Sequence, residues 1–80
     1  MTENQKSIVL EHLERVDEQL LALDTTLGVT AMGAAAMANG EYLENILNCI
    51  RHSLQAMRAE IDEATGTVLI AVSYTHLTLP

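Results

Sequence analysis

Two side chains that could hold a metal, or act as nucleophile and base, lie three residues apart in Cys49-Ile50-Arg51-His52. On a helix, residues three apart share a face, so this thiol and imidazole could bind one ion. A zinc site needs more ligands, and the chain has one cysteine. The other source is His12 with Glu11 and Glu14, far from residues 49–52 if the two helices described below form a straight hairpin. A Cys/His pair would also need an oxyanion site and a pocket, which such a hairpin does not offer. The Glu-x-x-His pairs of di-iron bundles do not occur. The sequence therefore predicts no catalytic residue, no metal or cofactor site, and no enzyme.

Size and charge narrow the classes further. The chain has 80 residues, one small domain at most, with 11 Asp and Glu against 4 Lys and Arg and a net charge of −7. An acidic balance of that size disfavours nucleic acid and anionic lipid as electrostatic partners. No run approaches the ~20 apolar residues that cross a bilayer. The acidic, polar start does not read as a secretory signal, and one cysteine excludes an internal disulfide. The expectation is a cytoplasmic protein that uses neither nucleic acid nor membrane.

The elements that would position these residues are two heptad helices. Thr2-Glu3-Asn4-Gln5 has the form of a capping box. After it, Val9, Val16, Leu23, Thr30 and Met37 recur every seven residues. Leu13, Leu20, Leu27 and Ala34 recur four later, making one 4-3 seam on a helix over residues 3–38. Glu11, Glu14, Arg15 and Glu18 lie off it and read as a solvated face. Asn39-Gly40 breaks the pattern, Gly40 closing the first helix and Asn39 capping the next. A second seam, Leu43, Leu47, Ile50, Leu54, Met57, Ile61 and Ala64, predicts a helix over 41–64 that ends at Thr65-Gly66. Thr67 to Ile70 has strand propensity. Glu41 and Glu44 suit the dipole of a first turn, whereas Glu60, Asp62 and Glu63 near a C-terminus suit it less.

The fold class expected is all-α, an antiparallel two-helix hairpin that forms half of a bundle. Facing residues should have numbers that sum to about 79. Leu20, Leu23, Leu27, Leu47, Ile50 and Leu54 should then pack most closely. Val9, Leu10 and Leu13 would overhang the second helix by roughly 20 Å, covered by a second copy, by a further C-terminal region, or by a break that folds the first helix back. Asp24-Thr25-Thr26-Leu27-Gly28 is where such a break would fall. Against it, the 4-3 seam runs through in phase and favours a continuous helix.

Residues 72–80, Val-Ser-Tyr-Thr-His-Leu-Thr-Leu-Pro, have a second reading. One codon choice for them is GTC TCT TAT ACA CAT CTG ACG CTG CCG. That string resembles the transposase mosaic-end adapter used in fragment sequencing, over all nine residues. The resemblance implies that 1–71 is a helical hairpin truncated at its C-terminus and that 72–80 is a translated tail. The tail carries no Asp, Glu, Lys or Arg, so the acidic excess falls on 1–71.

Leu27 to Ala38 is the most unusual stretch, with no charge from Thr25 to Gly40. Val29, Met32, Ala35 and Ala36 are apolar on the side away from the seam. A helix that is apolar all round tends to be buried all round, and Met adapts to irregular surfaces. These four residues, with Val9 and Leu13 of the overhang, are the expected interface. The function expected is a small acidic helical interaction module that self-associates or binds another helical protein. The alternatives are an acidic inhibitor of a basic partner and the helical N-terminal fragment of a longer protein.

Overall fold

The computed structural model describes residues 2–78, with side chains to residue 71. Two antiparallel helices, α1 (Glu3–Ala35) and α2 (Glu41–Thr78), make an all-α hairpin. No strand occurs among the described residues. The side chains of the nine-residue tail, 72–80, lie outside the described ones.

Helix α1 starts as its sequence dictates. The Gln5 amide donates to the Thr2 hydroxyl oxygen at 3.2 Å, and the Thr2 amide donates to Gln5 Oε1 at 2.8 Å. This reciprocal box satisfies two amides that a helix start leaves unpaired. The helix then runs unbroken through Asp24 to Gly28. The hydroxyls of Thr26 and Thr30 donate back to the carbonyls of Ala22 and Thr26, both at 2.9 Å. Weak helix formers stay in the helix here because their hydroxyls are satisfied within it.

The reversal is longer than expected and its two residues exchange roles. Helix α1 ends at Ala35, not near residue 38, and residues 36–40 make the turn. Asn39 takes the left-handed backbone, with φ of 61°, and no described glycine has positive φ. Gly40 precedes α2, and its carbonyl accepts from the Glu44 amide at 2.9 Å. What requires glycine at 40 is close approach. A Cβ there would lie 1.8 Å from the Ala34 carbonyl oxygen. With helix ends at 35 and 41, facing numbers sum to about 76 rather than 79.

Helix α2 passes through the expected stop. The Thr65 and Thr67 hydroxyls donate to the carbonyls of Ile61 and Glu63, at 2.8 and 3.0 Å. A single glycine in a helix costs only about 1 kcal/mol, and the apolar spacing from Leu54 through Ile61 continues to Val68. Thr67 to Ile70 is therefore helix and not strand. The expected overhang is overturned for the same reason. Leu10 and Leu13 line a groove with Ile61 and Thr65, and Val9 is half-buried.

Candidate interaction surface

The faces that meet inside the hairpin are displaced by one residue from the predicted seams. On α1 the inner columns are Leu13, Leu20, Leu27 and Ala34, as expected, and Leu10, Asp17, Asp24 and Ala31 in place of Val9, Val16, Leu23 and Thr30. On α2 they are Leu47, Leu54, Ile61 and Val68, again with Glu44, Arg51, Arg58 and Thr65 in place of Leu43, Ile50, Met57 and Ala64. Every one of these inner residues is buried or half-buried. The tightest part is near the turn, where Ala31, Ala34 and Leu47 pack together with Leu27 against them. Leu54 is also buried, whereas Leu23 and Ile50, expected in the core, are 47% and 43% exposed.

Two cross-helix charge pairs accompany the displacement. The Asp17 carboxylate is held in a two-pronged pair by Arg58, whose Nε donates at 3.0 Å and a terminal nitrogen at 3.3 Å. Arg51 Nε donates to Asp24 at 3.1 Å. Both pairs join residues whose numbers sum to 75, so they set the same register. Charge-assisted bonds of this geometry are stronger than neutral ones. The Asp17 hydrogen bond, with the charges of Asp17, Asp62 and Asp24, holds the Arg58 guanidinium above its ordinary pKa against the opposing effect of desolvation. Gly28 leaves room for Arg51, since a Cβ there would lie 3.1 Å from the guanidinium carbon.

In an antiparallel pair, a two-fold axis normal to the plane of the helices keeps equivalent heptad positions on one side of the hairpin. The grooves show this. One of 150 Å³ is lined by Gly28 and Asn48 with Arg51 and Glu44. Another, of 230 Å³, is lined by Glu14 and Asp62 with Asp17. Both open on the polar side.

The opposite side collects the displaced columns: Val9, Val16, Leu23 and Thr30 from α1, and Leu43, Ile50, Met57 and Ala64 from α2. None is charged. The next column outward is His12, Gln19, Thr26 and Gly33 on α1, and Ile46, Ser53 and Glu60 on α2, so Glu60 is the one acidic residue on this side. Val16, Leu23, Leu43, Ile46, Ile50 and Met57 are each between 40% and 51% exposed.

The surface as a whole is large. A compact monomer of 8.7 kDa exposes about 4700 Å², whereas the chain exposes 6041 Å².

The residues expected at an interface fall in two places. Val29 and Met32 are 67% and 75% exposed, and Ala35 and Ala36 are exposed beside them. Met32 and Ala35 border the groove that holds Arg51 and Glu44, so this patch adjoins charge. Val9 and Leu13 are half-buried near the hairpin's open end, Leu13 in an inner column and Val9 in the outer column beside it. Cys49 and His52 are exposed. No cluster of three metal-binding side chains occurs among the described residues, and no helix there is long and apolar enough to cross a membrane. The signal missed in the sequence is the pair of spacings, Asp17 and Asp24 seven apart and Arg51 and Arg58 seven apart.

No protein family, curated protein or solved structure gives a match to the chain. The surface is thus the guide to function.

Proposed function

We propose that this chain is a small acidic helical module for protein–protein interaction, and that it associates with itself. The observation that carries the reading is the apolar side of the hairpin, where six large side chains remain about half exposed. Exposed apolar area of this extent on a soluble chain marks an interaction surface. The role is binding and not catalysis, with no cofactor, nucleic acid or membrane partner. The exposed thiol of Cys49 suits a reducing compartment, and we place the module in the cytoplasm.

The test is the solution mass of the chain at tens of micromolar, at low and at high salt. Apolar self-association gives a mass above 8.7 kDa that persists in high salt. A monomer at both salts overturns self-association. Binding to a basic protein that disappears as salt rises would instead favour the acidic inhibitor, because exposed charge pairing is screened.

A further inference from the structure

We infer that the occupant of the uncharged side is a second copy of the same chain, packed face to face to form a four-helix bundle, and that Val29, Met32, Ala35 and Ala36 lie outside that contact. The inference rests on the self-associating reading above and specifies its surface and stoichiometry.

Three observations lead to it. The first is charge. Two chains of net charge −7 repel each other, and only a face nearly free of acid lets them meet without carrying like charges together. The side bearing Val16, Leu23, Leu43, Ile50 and Met57 is that face, with Glu60 at its margin. The polar side presents Glu14, Glu44 and Asp62 in its grooves. A basic partner would fit there, not on the neutral side.

The second is shape. Helix α1 has 33 residues, about 50 Å at ~1.5 Å per residue, and the hairpin is 15 Å across. One long face of the paired helices has an outline of about 750 Å², close to the roughly 800 Å² per partner of a standard interface. A second hairpin covers this outline completely.

The third is pattern. Val9, Val16 and Leu23 on α1, and Leu43, Ile50 and Met57 on α2, keep the seven-residue period of the inner columns beside them. Each helix thus carries two adjacent seams, one for its partner in the hairpin and one for a helix of another hairpin. Two seams per helix is the pattern of a four-helix bundle. The face is apolar on both helices, so it can pack on a copy of itself about a two-fold axis, as in the common symmetric dimer.

The experiment compares the full chain with Ile50→Glu, on the neutral face, and Met32→Glu, on the far side. Solution mass and helical circular dichroism are read together. A parallel set replaces Cys49 with Ser and introduces Leu23→Cys or Val29→Cys, with alkylation rate as the readout. The expected wild-type mass is twice 8.7 kDa. Ile50→Glu weakens the dimer by about a hundredfold or more, since it carries an unpaired charge into an apolar contact, and Met32→Glu leaves it intact. The thiol of Leu23→Cys reacts about tenfold more slowly than that of Val29→Cys, and dilution removes the protection. Should Ile50→Glu unfold, the alkylation rates decide by themselves. A dimer lost with Met32→Glu but kept with Ile50→Glu overturns this face and leaves self-association standing. Equal thiol rates in a chain that still dimerises do the same. A wild-type monomer with a fully reactive Leu23→Cys overturns both readings.

Discussion

At the scale of residues, four charges span the hairpin in one register, while two large apolar side chains beside them, Leu23 and Ile50, stay about half exposed. Asp24 is the more sheltered acid, its side chain 13% exposed beside an Arg51 that is 31% exposed. Glu11 and Arg15 also pair, one turn apart on α1 and both more than half exposed. Exposed pairs contribute little because water already screens them. Asp24→Ala should therefore destabilise the chain by about 1 kcal/mol, and Glu11→Ala by less than about 0.5 kcal/mol. Denaturant unfolding of both variants, and of Asp24→Ala with Arg51→Ala, checks this. The double variant should cost less than the sum, by roughly 0.5–1 kcal/mol, since the two share one interaction. Equal effects of Asp24→Ala and Glu11→Ala would show that the cross-helix pair does not set the register.

At the scale of elements, the sharpest test is the sign of a substitution at Gly66. Were Gly66 a left-handed cap at a helix end, a side chain there would be strained. It lies instead inside α2, without positive φ, and a Cβ meets nothing within 4 Å. Gly66→Ala should therefore stabilise the chain by about 0.5–1 kcal/mol, because alanine loses less backbone freedom on becoming helical. A loss of stability of that size would return the end of α2 to Thr65-Gly66. The contrast between residues also shows what the sequence made legible. The capping box, the two helices, the reversal near Asn39-Gly40 and the column Leu13, Leu20, Leu27 and Ala34 could all be read, because local chemistry and a seven-residue period specify them. The other inner column could not be found by hydrophobicity. Val16 and Leu23 are more apolar than Asp17 and Asp24, yet the acids turn inward because Arg51 and Arg58 meet them there. Gly66 misled for a related reason. A glycine marks a helix end only when the backbone turns left-handed, and that is settled by what lies beyond it. The uncharged run from Thr25 to Gly40 is legible because it lies along one helix. The neutral side of the hairpin is assembled from both helices and becomes visible only when their register is known.

At the scale of the whole molecule, the two-helix hairpin buries little. Among the described residues four apolar ones, Ala31, Ala34, Leu47 and Leu54, make up the buried core, and two of them are alanines with small side chains. Chain entropy opposes folding at roughly 1–2 kcal/mol per residue, so a domain this small commonly needs oligomerisation or another staple to be stable. On the proposed reading the second copy supplies that burial, and folding and association are then one equilibrium. Thermal stability must in that case depend on protein concentration, because dilution favours separated chains by mass action. Each tenfold dilution should remove about 1.4 kcal/mol of dimer stability. For a bundle of two such chains this lowers the unfolding midpoint by roughly 3–6 °C. Melting curves followed by circular dichroism over two decades of concentration test the coupling, with high salt holding charge repulsion constant. A midpoint that does not move with concentration would mean that the hairpin is stable alone, and its neutral side would then have to be covered by a different partner.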